Sequence, residues 1–190
     1  MLKALSMLFF VLLVACSPQK PAAFVATDIT GADFPKGISL TDHNGKRRSM
    51  SDFKGKVVAT FFGYTHCPDV CPTTMVDLKQ AMQLLGDKSD QVQVLFVTLD
   101  PQRDTQAVLS KFVPSFDKRF IGLWGSLQET AETMAMYKIF YAKVKGKTET
   151  DYTIDHSAGM YIFDQSGNVR LYVSYGTKAA DIASDIKKLL

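Results

Sequence analysis

The chain is poor in cysteine, with three in 190 residues, and it contains a single tryptophan. A scaffold held together by disulfide bonds requires more cysteines at wider separations, because a bridge that closes a short loop restricts the unfolded chain little. The sequence also lacks an internal repeat, a low-complexity tract and a large excess of charge of one sign, since its net charge is +3. These absences exclude a disulfide-rich module and a repeat protein, and nothing in the charge indicates binding to nucleic acid.

The N-terminal residues have the layout of a secretory signal. Lys3 precedes an apolar run from Met7 to Val14, and the small residue Ala15 stands directly before Cys16. The run is shorter than the roughly 20 apolar residues needed to span a bilayer, so a cleaved signal is favoured over the alternative of a permanent anchor. The sequence Leu-Val-Ala-Cys resembles a bacterial lipobox, which implies cleavage before Cys16 and lipid attachment to that residue.

These features divide the chain into three parts. We expect a lipoprotein signal peptide over residues 1–15, a flexible tether with lipidated Cys16 over residues 16–35, and one folded domain over residues 36–190. The domain would then lie in the periplasm of a bacterial cell envelope, bound to a membrane through the lipid. Ser17 is compatible with sorting to the outer membrane, so the sequence leaves inner and outer membrane open.

Alternating strand and helix patterns along residues 36–190 predict an α/β domain. Two short strands around Asn44-Gly45 form a hairpin, and the apolar run over residues 55–62 predicts a central strand buried on both faces. A helix over 72–86, a strand over 92–99 and a helix over 104–116 then complete a βαβ unit with parallel strands.

The C-terminal half continues with a short strand over residues 120–124 and a helix that opens with the capping box Ser126 to Glu129 and carries Ala135, Ile139 and Phe140. The basic, polar segment from Lys143 to Asp151 reads as a solvated loop. Two antiparallel strands, over 160–163 and 169–173, and a helix over 181–190 end the domain. This order predicts a thioredoxin-like fold with a central mixed sheet flanked by helices and an N-terminal β-hairpin.

Cys67 and Cys71 stand between the central strand and its helix, in Thr65-His66-Cys67-Pro68-Asp69-Val70-Cys71-Pro72. The start of a helix offers unpaired N–H groups and the positive end of its dipole, which favour a thiolate. A thiolate pair can attack a disulfide or bind a soft metal ion, and both uses remain open on spacing alone. The three residues between these cysteines, against two in most thioredoxin-like oxidoreductases, widen the distance that they bridge.

Two sulfurs and one imidazole suit copper, because thiolate stabilises Cu(I) and imidazole accepts either oxidation state. His66 is constrained by its neighbour Cys67, and His43 falls in the distant hairpin. His156 lies just before the strand at Met160, in a loop that faces the cysteine helix in a thioredoxin-like layout. We therefore expect His156 to be the third ligand, with the methionines at residues 75, 82, 134, 136 and 160 packed in the core rather than binding metal.

Three separated motifs resemble the Sco/SenC/PrrC family: the cysteine motif above, the run Leu99-Asp100-Pro101-Gln102-Arg103-Asp104-Thr105, and Asp155-His156-Ser157. The resemblance implies that copper binds to Cys67, Cys71 and His156. It also implies delivery of copper to, or reduction of thiols at, the binuclear copper site of cytochrome c oxidase. The partners would be that copper-site subunit, other periplasmic copper carriers and a thiol reductant.

Two questions stay open at this point. A thiol-disulfide oxidoreductase of the cell envelope, with Cys67 and Cys71 as its redox pair, is the alternative function. Asp155 and Asp100 are candidates to orient His156 or to tune the charge near it, although either residue is equally well explained as part of a turn or helix cap.

Overall fold

A computed structural model describes residues 23–34, 37–148 and 151–190 of the chain. Ten strands and four α-helices follow one another within the described residues. They are β1 (Thr27–Asp28), β2 (Ser39–Asp42), β3 (Arg47–Ser49), β4 (Val57–Gly63), α1 (Val70–Leu85), β5 (Val92–Thr98), α2 (Gln106–Phe116), β6 (Ile121–Trp124), α3 (Leu127–Met136), β7 (Tyr141–Lys145), β8 (Tyr152–His156), β9 (Met160–Phe163), β10 (Val169–Val173) and α4 (Ala179–Lys187). Short 3-10 helices cover Met50–Phe53 and Gly86–Gln91.

Eight of the strands form one mixed sheet in the order β1-β10-β9-β4-β5-β6-β2-β3. β4, β5 and β6 are parallel, whereas β9 is antiparallel to β4 and β10 is antiparallel to β9. Every residue of β4 and β5 is buried, as expected for central strands covered on both faces. α1 packs against α4 and α2 packs against β6. The predicted thioredoxin-like α/β fold, with its central mixed sheet and flanking helices, is confirmed.

The predicted N-terminal hairpin is also confirmed as β2 and β3. Gly45 lies in the turn with φ of 86°, a left-handed conformation that glycine adopts without strain. β2 then pairs with β6, which attaches the hairpin to one edge of the sheet.

The methionines at residues 75, 82, 134 and 160 are at most 3% exposed, so they pack in the core as predicted, while Met136 is partly buried.

The helix that begins after Ser126 is shorter than its sequence pattern predicts. Its capping box forms, since Glu129 N–H donates to Ser126 Oγ at 3.1 Å and Ser126 N–H donates to the Glu129 carboxylate at 2.7 Å. The helix ends at Met136, because Lys138 adopts φ of 54° and the chain turns back, with Ile139 N–H donating to the Met134 carbonyl at 2.9 Å. Ile139 and Phe140 therefore lie beyond α3.

The prediction of a solvated loop from Lys143 to Asp151 is wrong for residues 143–145, which end strand β7, whereas the described residues 146–148 and 151 lie outside both strands and are exposed. β7 and β8 pair over five residues each as a separate two-stranded sheet. The lysines at residues 143 and 145 give β7 the composition of a polar loop. Lys143 packs against β8 through its ammonium group, whose Nζ lies 4.4 Å from the centroid of the Tyr152 ring.

The fold also extends ahead of residue 36. Thr27–Asp28 pair with Tyr172 and Leu171 of β10 as the outermost strand of the sheet. The N–H groups of Val25 and Ala26 donate to the buried carboxylate of Asp185 in α4, at 2.8 to 3.1 Å. Part of the segment that composition predicts to be a tether thus contributes to the sheet.

Candidate metal centre

Both cysteines are positioned by the junction between β4 and α1. β4 ends at Gly63, and α1 begins at Val70, so Cys67 lies in the connecting turn and Cys71 in the first turn of the helix. Gly63 lies close to the second thiol, since a Cβ atom there would stand 2.8 Å from Cys71 Sγ. A side chain at residue 63 would therefore displace that sulfur atom.

The two thiols have different surroundings. Both are free, Cys71 is fully buried, and Cys67 is partly exposed. The N–H of Cys71 points at Cys67 Sγ at a distance of 3.4 Å, so an unpaired backbone donor at the start of α1 reaches the more accessible sulfur. Burial raises the pKa of the Cys71 thiol well above its ordinary value, which keeps that sulfur protonated until a metal or an oxidant replaces the proton.

His156 is the last residue of β8, and its ring reaches the cysteines. Its Nε2 atom lies 3.5 Å from Cys71 Sγ, and its Nδ1 atom lies 2.9 Å from the carbonyl oxygen of Ser157. A carbonyl only accepts, so Nδ1 carries the hydrogen and Nε2 presents its lone pair to the thiols. Burial lowers the pKa of His156, against the opposing effects of the Ser157 carbonyl and the Asp155 charge. The ring is thus neutral and oriented as metal-binding imidazoles are.

The structure brings Cys67, Cys71 and His156 into one group. Their Sγ, Sγ and Nε2 or Nδ1 atoms all lie within 4.8 Å of one another. Two soft sulfur donors and one imidazole are the donor set that copper prefers, whereas a structural zinc site takes four protein ligands. The group is therefore able to bind copper.

The other histidines of the described residues stand outside this group, as the sequence predicts. The His66 side chain is 52% exposed and its Nδ1 lies 3.1 Å from Thr65 Oγ1. His43 is buried in the N-terminal hairpin, where its Nδ1 accepts a hydrogen bond from Gly122 N–H at 2.9 Å.

Asp155 and Asp100 differ in their relation to His156. Asp155 is exposed on β8 and acts on the pKa of His156 through its charge. Asp100 is buried, and its carboxylate accepts from Tyr152 Oη at 2.7 Å and from Arg103 Nε. Asp100 thus holds the beginning of β8, four residues before His156, rather than the imidazole. Cys16, the predicted lipidation site, lies outside the described residues.

Asp104 is a residue of the site that sequence reasoning missed. Its fully buried carboxylate accepts from Thr65 N–H at 2.9 Å and from Thr98 Oγ1 at 2.6 Å, which ties the turn before Cys67 to the end of β5. Thr65 follows the end of β4, and Thr98 is the last residue of β5. These two strands are parallel neighbours, so both threonines lie at the same edge of the sheet. The position of Asp104 in the motif from Leu99 to Thr105 could have indicated this role, but we expected Asp104 to begin the helix over residues 104–116.

An open groove of about 390 Å³ lies beside the thiols. One wall is the turn from Cys67 to Val70, the other is β8 from Thr153 to His156, and Tyr64 also lines the groove. The Tyr64 ring contacts His156 edge-on, with centroids 6.0 Å apart. Cys67 is accessible from this groove, so a partner molecule that enters it reaches the thiol.

The fold and the site together define a thioredoxin-fold protein with a Cys-Cys-His group able to bind copper. The sequence model of the SCO1/SenC family matches residues 26–190, and the chain belongs to that family. No helix among the described residues is both long and apolar enough to cross a bilayer.

Relatives and solved structures agree with this assignment. The chain is 36% identical over 153 residues to the mitochondrial SCO2 homolog of Bos taurus, which covers 80% of this chain and 58% of that protein. It is 33% identical over 164 residues to an SCO2-like protein of Rickettsia felis, covering 83% of this chain and 78% of that protein. The copper-bound structure of Bradyrhizobium japonicum ScoI superposes with a TM-score of 0.77 at 36% identity, covering 83% of this chain and 100% of that one. The chain thus spans less than two thirds of the length of the mammalian relatives that it matches.

Proposed function

We propose that this protein is a metallochaperone that binds one copper ion through Cys67, Cys71 and His156. The copper would be passed to the binuclear copper site of cytochrome c oxidase, or the Cys67 and Cys71 thiols would keep the cysteines of that site reduced. The observation that carries the proposal is the convergence of two sulfur atoms and one imidazole nitrogen within 4.8 Å. The copper-bound ScoI of Bradyrhizobium japonicum, which shares the fold at 36% identity, supports copper as the cargo.

The chemistry of the donors supports Cu(I) as a bound form. Two thiolates and a neutral imidazole make a soft, low-coordinate set, and the thiolates stabilise the reduced ion. Binding displaces the proton of the buried Cys71 thiol, so metal uptake releases protons and weakens as the pH falls. His156 Nε2 needs no rearrangement, because the Ser157 carbonyl already holds the ring with that atom toward Cys71.

Copper stoichiometry of the purified, reduced protein tests this proposal. We expect one tightly bound copper per chain in the wild type, with a sulfur-to-copper charge-transfer band when the reduced thiols are loaded with Cu(II), and loss of both in His156→Ala. His66→Ala is the matched control, because His66 is next to Cys67 in sequence but outside the group. Undiminished affinity in His156→Ala, or an equal loss in His66→Ala, would contradict the assigned ligand set.

A thiol-disulfide oxidoreductase is the second candidate function. The observation that favours it is the unequal exposure of the thiols, since an accessible Cys67 with a buried Cys71 behind it resembles an attacking and a resolving cysteine. The Cys67 thiolate would attack a partner disulfide and release one partner thiolate. Cys71 would then attack Cys67 Sγ, which releases the second partner thiolate and leaves a Cys67–Cys71 disulfide.

The two functions respond differently to the same variants. Disulfide exchange with a model substrate should persist in His156→Ala and disappear in Cys67→Ser, whereas copper binding should be lost in both. Oxidised Cys67 and Cys71 cannot supply thiolates, so loading with copper requires prior reduction. A thiol reductant is therefore an expected partner under either function, together with the copper-site subunit of the oxidase and other periplasmic copper carriers.

We place the protein in a bacterial cell envelope, anchored by lipid at Cys16 with its folded domain in the periplasm. The support is the Leu-Val-Ala-Cys sequence at residues 13–16 and the bacterial relative from Rickettsia felis. Radiolabelled fatty acid should be incorporated into the wild type and not into Cys16→Ser. Separation of the two membranes tests the role in oxidase assembly, because that role requires the inner membrane and an outer-membrane protein would oppose it.

A further inference from the structure

One edge of β8 is free of strand pairing where it borders the groove. Among the described residues β8 pairs with β7 alone. Ser157 N–H donates to the Phe140 carbonyl at 3.0 Å, so residue 157 and its alternate neighbours 155 and 153 direct their backbone groups toward β7. Ile154 and His156 therefore direct theirs away from β7, because backbone polar groups alternate in direction along a strand.

Side chains already use part of this edge. Arg103 Nη1 donates to the Tyr152 carbonyl at 2.9 Å, and Ile154 N–H donates to Tyr64 Oη at 3.1 Å. The next two groups along the edge are the Ile154 carbonyl and the His156 N–H. Within residues 23–34, 37–148 and 151–190, neither takes part in a hydrogen bond outside the β7–β8 ladder. They offer one acceptor and one donor to the backbone of an extended peptide.

The same edge faces an accessible thiol. The groove of about 390 Å³ has β8 as one wall and the turn from Cys67 to Val70 as the other. A peptide that pairs with Ile154 and His156 would lie in the groove that Cys67 also lines. The geometry thus presents a backbone docking edge and a reactive sulfur to the same segment.

The charges around the groove select among such segments. Asp69 and Asp155 lie on its two opposite walls and both are exposed. Neither forms an ion pair with any cation of the described residues. A basic side chain on the incoming segment would complement both carboxylates.

We propose that the groove binds an extended, cysteine-bearing segment of the partner protein, with a basic residue next to its cysteine, which adds to the free edge of β8. The inference rests on the proposed function, since it names the kind of partner that the thiols of that site meet. Pairing of the segment with the Ile154 carbonyl and the His156 N–H places its cysteine at Cys67 for exchange of copper or of a disulfide.

A trapped complex tests the backbone pairing. The full-length Cys71→Ser protein is reacted with an eight-residue peptide whose central cysteine is flanked by arginine and activated as a mixed disulfide with thiopyridine. Cys67 attacks the peptide sulfur, a Cys67–peptide disulfide forms, and pyridine thiolate leaves. We expect hydrogen exchange of the His156 amide to slow at least about tenfold relative to the same protein capped with free cysteine. An unchanged exchange rate would overturn the proposal.

Charge selectivity is tested by the rate at which the same activated peptides release pyridine thiolate in proteins that retain Cys71, where Cys71 afterwards attacks Cys67 Sγ and expels the peptide thiolate. The wild type should react several-fold faster with the arginine peptide than with its glutamate counterpart, and Asp155→Lys should remove or invert this ratio. Asp87→Lys is the control of equal charge change, because Asp87 is exposed just beyond the distant end of α1, and it should keep the wild-type ratio. A preference for the glutamate peptide in the wild type, or an equal effect of Asp87→Lys, would contradict a groove-specific recognition of basic segments.

These outcomes are distinct from those of the copper experiment. Both peptide measurements use Cys67 without copper, so a protein that fails to bind copper can still show slowed exchange at His156. A protein that binds copper through Cys67, Cys71 and His156 but shows neither backbone protection nor charge selectivity would keep the proposed function and lose this inference.

Discussion

Gly63 is the residue on which the position of the buried thiol depends most directly. A Cβ atom at this place would stand 2.8 Å from Cys71 Sγ, 3.0 Å from the Phe61 ring and 3.2 Å from the Phe96 ring. The two rings are packed in the core and leave little room to move. The smallest side chain that can be added therefore acts on the sulfur atom.

We predict that Gly63→Ala lowers copper affinity at least about tenfold, because one of three ligands is displaced, and lowers the free energy of unfolding by about 1–3 kcal/mol through overpacking. A competition titration against a Cu(I) chelator and denaturant unfolding would measure the two effects. Gly37→Ala is the matched control, since a Cβ atom there would have no neighbour within 4 Å. Wild-type affinity in Gly63→Ala would show that the site tolerates a shift of Cys71.

The β7–β8 hairpin is the element that delivers His156 to the cysteines. Its attachment to the domain depends on Tyr152, whose hydroxyl donates to Asp100 at 2.7 Å and whose ring lies 3.6 Å from the Arg103 guanidinium. Burial and the Asp100 charge raise the pKa of Tyr152 to about 12, so the hydroxyl remains a donor throughout the neutral range. Asp100 and Arg103 come from the loop after β5, which links the hairpin to the central sheet.

We predict that Tyr152→Phe weakens this attachment while it leaves the ring packing intact. The buried Asp100 carboxylate loses one donor, which should lower stability by about 1–2 kcal/mol. Amide exchange in β8 should accelerate more than exchange in β4 or β5, because the hairpin forms its own small sheet. Tyr175→Phe, at an exposed tyrosine, serves as the control. Uniform acceleration across the domain would indicate that Tyr152 supports the whole fold rather than the hairpin.

At the scale of the whole molecule, the N-terminal segment links the sheet to α4, because β1 pairs with β10 and the residues just before β1 donate to Asp185. Asp185 is buried, and its carboxylate accepts from the N–H groups of Val25 and Ala26 and from Lys188 Nζ. A protein shortened to begin at residue 36 lacks β1 and two of these three donors.

We predict that the free energy of unfolding of this shortened chain is about 1–3 kcal/mol lower than that of a chain that begins at residue 23, because the buried Asp185 carboxylate loses two of its donors. Denaturant titration of both chains would measure the difference. The loss should shrink when both chains carry Asp185→Ala, since the carboxylate that needs the donors is then absent. An undiminished loss would assign the effect to β1 pairing alone.

The stability of the whole metal-free protein should also fall in mildly acidic solution. Burial lowers the pKa of His43 below its ordinary value of 6.5, against an opposing effect of Asp42. Below pH 6.5 the histidine of the unfolded chain takes up a proton, whereas His43 of the folded protein stays neutral. The contribution of neutral His43 to the free energy of unfolding is therefore fully present above about pH 6.5 and is lost as the pH falls toward the folded pKa.

We therefore predict that the free energy of unfolding declines between pH 7 and pH 5, and that part of this decline disappears in His43→Gln. The glutamine side chain keeps an acceptor for Gly122 N–H, which the His43 ring now serves at 2.9 Å. His66→Gln is the control for the substitution itself, because that side chain is half exposed and lies outside the N-terminal hairpin. An identical slope in His43→Gln and in the wild type would remove His43 as the cause.

The sequence by itself determined those features that depend on residues close together along the chain. The run of β-branched and aromatic residues marked β4, the Ser126 to Glu129 capping box marked the start of α3, and the Cys67 and Cys71 spacing marked the site, because each signal lies within a few neighbouring residues. His156 as the third member of the group was also predicted, from its place before β9 in a thioredoxin-like order. Such features depend on short-range sterics and hydrogen bonding, which the chain specifies wherever it folds.

Only the tertiary structure decided how distant segments are joined. The β7–β8 hairpin, the sheet position of β1 and the role of Asp104 each depend on contacts between residues far apart in sequence, such as Thr65 with Asp104 and Val25 with Asp185. For Asp100 the sequence left a role beside His156 and a role in a turn or helix cap open, and in the structure its carboxylate accepts from Tyr152, since a buried carboxylate binds whichever donors packing brings to it. The long-range packing of the sheet, rather than local propensity, thus sets the surroundings of the copper-binding group.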